Sequence, residues 1–272
     1  MACRFLGILS AFPQRISVSG LFPRRHFTQP AMNKLKHVSY DVKESVAVVR
    51  INSPNSKVNS LGKEVMEDME TVMKDVETNG AIRSVVLSSR KPGCFIAGAD
   101  IAMLEKCSTS DQAAQLSKQA QVFLQRIADS PKPIVAAIMG SCLGGGLEVS
   151  MACHYRIAVK EKKTVLALPE VMLGLLPGAG GTQRLPQLVQ LPTALDMMLT
   201  GRSIRADRAK KMGLVDQVVE PLGPGPMPTE ERMMDYLEEV AVESAIALAS
   251  GSLKPNRTRP LSESMRTLLE VI

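Results

Sequence analysis

The 272-residue sequence has no tryptophan, and its aromatic content is only 3%. Four of its six phenylalanines, Phe5, Phe12, Phe22 and Phe27, fall within the first 36 residues, which leaves Phe95, Phe123 and three tyrosines for the remainder. A core of this composition is aliphatic and methionine-rich, and stacking platforms for single-stranded nucleic acid are scarce. The longest charge-free apolar stretch, Ile134 to Leu147, is shorter than the ~20 residues a membrane-spanning helix needs, so no transmembrane segment is expected. The five cysteines, Cys3, Cys94, Cys107, Cys142 and Cys153, are odd in number and lack C-x-x-C spacing. Neither a disulfide framework nor a zinc site is suggested, and no metal is expected.

Acidic residues are missing from one end. Residues 1–36 carry Arg4, Arg15, Arg24, Arg25, Lys34 and Lys36 and no acid. Taking these six from the 33 basic residues leaves 27 against 27 acids in the other 236 residues, so the net charge of +6 resides in that segment. The basic balance therefore gives no support for nucleic-acid binding by the body of the protein. Spaced arginines among Phe5, Leu6, Ile8, Leu9, Phe12 and Ile16, with recurring Ser and Thr, match a mitochondrial transit peptide over 1–36. A secretory signal is the rival, but Pro13 and Arg15 interrupt its apolar run, and a basic tail is the plain alternative. Mitochondrial localisation, in the matrix or at the inner membrane, is the expectation.

The remainder, 45% apolar and 22% charged over the whole chain with mean hydropathy +0.04, has the composition of a folded domain. Short β-branched runs at Ser45–Ile51, Ser84–Ser88, Ile134–Ile138, Arg156–Val159 and Thr164–Leu168 predict strands. Between them, Leu61, Val65, Met66, Met69, Val72, Met73 and Val76 form one helical stripe, and Ala113, Leu116, Ala120, Phe123 and Ile127 form another. Alternation of this kind favours an α/β domain. Beyond about residue 190 the strand signal fades. Leu195–Leu199, Ala206–Met212 and Glu230–Ala249 read as helices, the last with Thr229 as N-cap and acids in its first turn. A proline-rich linker over 221–228 precedes it, dividing a core over 37–220 from a C-terminal helical region over 221–272.

Three glycine-rich segments, Ile96–Ile101, Gly140–Glu148 and Pro177–Arg184, let backbone N–H groups approach a ligand, or alternatively serve tight turns and close packing. The second follows a strand and enters an apolar, helical run, where unpaired N–H groups can hold a developing oxyanion. Dinucleotide and nucleotide motifs fail on spacing: Gln183 stands where a third glycine is needed, and no G-K-[ST] occurs. Gly140-x-Cys142-x-Gly144 copies a hydrolase elbow with a thiol, but the one downstream histidine, His154, is read as sharing a helix with Glu148, which favours a buried structural Cys142. Two acids remain. Glu148 sits at a helix start whose dipole favours carboxylate and suits a general base, whereas Glu170 lies among apolar neighbours that raise a carboxyl pKa and suit a general acid. Taken from spacing alone, each is equally read as a solvated or salt-bridged residue.

These segments together resemble the crotonase, or enoyl-CoA hydratase, superfamily. The resemblance rests on Asn52–Asn59 (NSPNSKVN), FIAGADI at 95–101, GSCLGGGLE at 140–148, PEV at 169–171 and PGAGGTQRL at 177–185. It covers the body from about residue 38. The run over 194–225 is most similar to the hydratase part of mitochondrial trifunctional-enzyme alpha subunits. The resemblance implies a crotonase-like (ClpP/crotonase) spiral of ββα units, followed by a C-terminal helical region that is truncated relative to the family. It implies Glu148 and Glu170 as catalytic acids and bases, Ala99 and Gly145 as the oxyanion hole, and Lys57, Ala97 and Ile101 as coenzyme A contacts. Its substrate would be a 2-trans-enoyl-CoA, hydrated to 3-hydroxyacyl-CoA in fatty-acid β-oxidation. No separate cofactor is implied, coenzyme A being part of the substrate. Implied partners are a homo-oligomer or a thiolase beta subunit, which would associate the protein peripherally with the inner membrane. Met139 departs from the family's usual polar residue, and Ala167, three before Glu170, from its usual glycine, a methyl expected to displace the carboxylate. Those departures and the shortened end leave an inactive acyl-CoA- or thiolase-binding protein as one alternative; the other is a Δ3,Δ2-enoyl-CoA isomerase, which in this superfamily can work with a single glutamate at the second position, although retention of Glu148 argues for hydration.

Overall fold

The computed structural model describes residues 35–255 apart from 224, 226 and 227. The basic segment over 1–34 and the end over 256–272 lie outside the described residues.

Two sheets organise the chain. The larger is built from β1 (Val38–Lys43), β2 (Val46–Ile51), β3 (Ser84–Ser89), β5 (Ile134–Ile138), β7 (Tyr155–Val159) and β10 (Gln217–Val219), adjacent in that order. Only the β1–β2 pair is antiparallel. The smaller contains β4 (Cys94–Ile96), β6 (Ser141–Leu143), β8 (Val165–Ala167) and β9 (Ile204–Arg205), with β9 antiparallel to β8. Three times in succession the chain lays one strand in the large sheet, the next in the small sheet, and then turns helical. Because β3, β5 and β7 are neighbours, as are β4, β6 and β8, each turn stacks on the last. The result is the expected spiral of ββα units.

Every residue of β2, VAVVRI, is buried, as a parallel strand covered on both faces requires. Val46 and Val48 pack with Met233, Leu237, Ala241 and Ala245 of α8 (Thr229–Ala249). The alternate residues face the other way, toward the side where α1 (Lys63–Thr78) buries Val65, Met69, Val72, Met73 and Val76. Arg50 continues the α8-facing row and binds Glu238 of that helix through two hydrogen bonds, 2.7 and 2.6 Å. Lys43 Nζ adds a third at 2.6 Å, and Asp41 pairs with Arg50 from β1. Burial pushes the Glu238 carboxyl up, but the Arg50 and Lys43 charges outweigh it and hold the pKa at about 2.

Several expectations need correction. Leu61 is not part of α1 but bridges Ala99 ahead of it. In α3 (Ser110–Ala128) only Phe123, Leu124 and Ile127 are buried; Ala113 is exposed, and Leu116 borders an open cavity of about 320 Å³ shared with α2 (Ile101–Glu105). Beyond residue 190 the helices α6 (Leu191–Thr200) and α7 (Ala206–Met212) form, yet β9 and β10 also occur there and close the ends of the two sheets. Thr229 is the first helical residue of α8; Pro228 stands at the N-cap without a side-chain bond, while Glu230 and Glu231 do occupy the first turn. No helix among the described residues is long and apolar enough to cross a membrane.

Candidate functional site

The site is positioned by corners. Where the chain passes from β3 to β4, from β5 to β6 and from β7 to β8, Gly93, Gly140 and Thr164 stack: Ser141 N–H donates to Gly93 O (3.0 Å) and Gly140 N–H to Thr164 Oγ1 (2.8 Å). Gly140 has φ +82°, and a Cβ there would lie 1.9 Å from the Gly93 carbonyl carbon, so no other residue fits. This stacking aligns β4, β6 and β8, and the residues leaving their ends converge: Ala97–Asp100, then Gly144 and Gly145 opening α4 (Gly145–Ala152), then Leu168–Glu170.

The first two loops present N–H groups. Leu61 N–H donates to Gly98 O (2.8 Å) and Asp100 N–H to Leu61 O (3.3 Å); the N–H of Ala99, between them, has no partner among the described residues. Gly145 is the first residue of α4, where an N–H has no intrahelical acceptor, and a Cβ there would stand 3.5 Å from Ala99 N. The two free donors are therefore neighbours. Asn59 fixes the first loop from beneath: fully buried, it donates from Nδ2 to Ile51 O, Ser89 Oγ and Phe95 O, and its backbone carbonyl accepts Ala97 N–H at 2.8 Å.

Two carboxyls flank these donors. Glu148, 3% exposed in the first turn of α4, accepts at Oε1 from Ala179 N–H (2.8 Å) and Gly181 N–H (2.7 Å). Burial raises its pKa against the pull of those two N–H groups and of Arg184. The net direction is upward: desolvation outweighs the two N–H groups and the Arg184 charge. Glu170 opens a single 3-10 turn, Glu170–Leu173. Its Oε1 lies beside Gly144, where a Cβ would be 3.1 Å away, and its buried Oε2 has no partner among the described residues. Burial pushes its pKa to about 7, opposed by its own N–H and reinforced by the Glu148 charge. The arrangement offers two N–H donors for a polarised oxygen, one hydrogen-bonded carboxylate, and one carboxyl held protonated up to near-neutral pH.

The model of the enoyl-CoA hydratase/isomerase family matches residues 41–249. This chain belongs to that family. Among solved structures, an enoyl-CoA hydratase from Bacillus anthracis is similar at 32% identity and a TM-score of 0.68, over 79% of this chain and 77% of that one. DspI of Pseudomonas aeruginosa is similar at 26% identity and a TM-score of 0.70, over 90% and 83%. An enoyl-CoA hydratase from Thermoplasma volcanium is similar at 27% identity and a TM-score of 0.66, over 79% and 81%.

In this member of the hydratase/isomerase family, Ala99, Gly145, Glu148 and Glu170 are brought together. Ala97 and Ile101 flank Ala99, Ile101 being 54% exposed. Lys57 is exposed on the loop that Asn59 anchors. Ala167 ends β8 with its carbonyl accepting Gly144 N–H (2.9 Å), and Met139 is buried in the core cluster with Met233 and Leu237 of α8. His154 lies beyond the end of α4 rather than on it, its Nδ1 accepting Ile134 N–H at 3.2 Å. Cys142 is fully buried and its thiol pushed up to about 12 by desolvation, which suits a structural thiol. Among the described residues no cluster of His, Cys, Asp or Glu is arranged for a metal. Asn59 and Arg184 lie within the family-like motifs, yet their roles come from hydrogen bonds to residues distant in sequence, Ser89 and Phe95 for Asn59 and Gln125 for Arg184.

Proposed function

We propose that the protein hydrates 2-trans-enoyl-CoA to 3-hydroxyacyl-CoA. The observation that carries this reading is the placement of two carboxyls of unlike environment beside two unpaired N–H groups. The thioester oxygen would accept from Ala99 and Gly145 N–H, which draws electrons from the double bond and makes C3 electrophilic. Glu148 takes a proton from water as the water oxygen bonds to C3, and Glu170 delivers its proton to C2 as the enolate collapses. One water is added, and a proton returns from Glu148 to Glu170 before the next turnover. Donors aimed at the enolate oxygen act where charge develops; losing one costs about 2.7–4 kcal/mol of barrier in comparable sites. Lys57, Ala97 and Ile101 would contact coenzyme A, with no further cofactor. Exposed Val171, Met172, Leu173, Leu175 and Leu176 directly follow Glu170 and give an apolar acyl chain a surface to follow.

The basic segment over 1–36 supports a mitochondrial setting, in the matrix or at the inner membrane, and the run over 194–225 supports a place beside trifunctional-enzyme alpha subunits in fatty-acid β-oxidation, with a second copy or a thiolase beta subunit as partner. Incubation with 2-trans-enoyl-CoA and with 3-enoyl-CoA, followed by product analysis, tests the reaction. The 3-hydroxyacyl product from the 2-enoyl substrate is expected. Double-bond migration without hydration identifies an isomerase, and acyl-CoA binding without either product identifies a non-catalytic binder.

A further inference from the structure

Arg184 lies on α5 (Gly181–Leu188), and its half-buried guanidinium has no carboxylate at ion-pair distance among the described residues. It is spent instead on neutral oxygens. Nη1 donates to Ala179 O (3.0 Å) and Nη2 to Gln125 Oε1 of α3 (3.2 Å). Gly180, at φ +102°, leaves the room: a Cβ there would be 2.4 Å from Nη1. Arg184 thus grips the carbonyl of Ala179, whose own N–H holds Glu148 Oε1.

The same loop is tied to α3 at a second point. Ser117 Oγ (2.5 Å) and Gln121 Nε2 (2.9 Å) both donate to Gly178 O. Ser117, Gln121 and Gln125 are spaced by four and share one face of the helix. Gln125 Nε2 is in turn engaged by both Asp129 oxygens (2.9 and 3.0 Å), which leaves its Oε1 for Arg184. A half-buried cation costs free energy unless a carboxylate repays it, and the charged groups near this one are Glu148 and, beyond Gln125, Asp129. Glu170 is the other charged group that senses Glu148.

We propose that Arg184, held by Gln125, is a positioning residue for Glu148: it fixes the Ala179–Gly180 peptide, which lies between the two peptides whose N–H groups hold Oε1, so that Oε2 is presented to the attacking water, and its charge favours the carboxylate. This rests on Glu148 acting as the base.

The test is the pH dependence of kcat/KM for enoyl-CoA hydration in Arg184→Met, Arg184→Lys and Gln125→Leu. Misplaced reacting groups cost on the order of 10- to 100-fold, so Arg184→Met should lose that much in kcat with KM little changed, and its acidic limb should move to higher pH. Arg184→Lys should keep the limb in place while recovering only part of the rate. Gln125→Leu, an exposed change on α3 that keeps the fold if Arg184→Met does not, should lower kcat with a smaller shift in the same direction. A rate loss with an unmoved limb in both Arg184→Met and Gln125→Leu, or no loss at all, overturns the positioning role while Glu148→Gln remains inactive. Full turnover in Glu148→Gln overturns the base assignment and this inference with it.

Discussion

Replacing Glu170 by glutamine should stabilise the protein at alkaline pH while abolishing its chemistry. A carboxyl whose pKa is raised on folding leaves stability intact below its unfolded pKa and loses it as pH rises through the folded value. For Glu170 that window runs from an ordinary value of 4.5 to about 7, the rise coming mainly from burial. At about 1.4 kcal/mol per pH unit the full rise amounts to about 3 kcal/mol, and partial solvent screening of this half-buried group reduces it to about 2 kcal/mol. Glutamine is neutral throughout and carries none of this cost. Urea denaturation of both proteins at pH 4.5 and pH 8 measures it: equal stabilities, within error, are expected at the lower pH, and an advantage of about 2 kcal/mol for Glu170→Gln at the higher. A difference that does not change with pH, or a wild type that is the more stable at pH 8, would refute the reasoning.

Two further predictions concern the scaffold. Gly140→Ala forces a Cβ to 1.9 Å from the Gly93 carbonyl carbon at φ +82° and should yield no folded protein by circular dichroism, whereas Gly80→Ala, with nothing within 4 Å, should be tolerated. Glu238→Gln leaves Arg50 buried without its main counter-charge and should cost about 3 kcal/mol in urea denaturation at pH 7, with most of it recovered when Arg50 is also replaced by Met; a loss under ~1 kcal/mol would show that α8 does not depend on this pair.

The fold class was legible because long β-branched runs and the α1 stripe follow the alternation of buried layers. Short strands were not. β4 and β6, three residues each, are too brief to show a period of two, and their glycine-rich surroundings read as loops. β1 was missed for another reason: its hairpin to β2 turns through Glu44 and Ser45, both at positive φ, where Asn-Gly or Asp-Gly is the usual signal. At the site, Glu148, Glu170 and the glycines were visible because close backbone approach restricts residue type. The clamp through Ser117, Gln121, Gln125 and Arg184 was not, since α3 and α5 lie about 60 positions apart and meet only in the folded chain. The expected stripe on α3 likewise assumed burial along the whole helix, while its first half borders an open cavity.

The most direct test of the central claim is hydration of a medium-to-long 2-trans-enoyl-CoA, followed as loss of the conjugated-thioester absorbance, in the wild type, Glu148→Gln and Glu170→Gln, with acyl-CoA binding measured in parallel. Turnover by the wild type is expected, together with its loss in both variants at retained binding. Full activity in either variant, or a folded wild type that binds acyl-CoA and leaves the absorbance unchanged, would contradict the account.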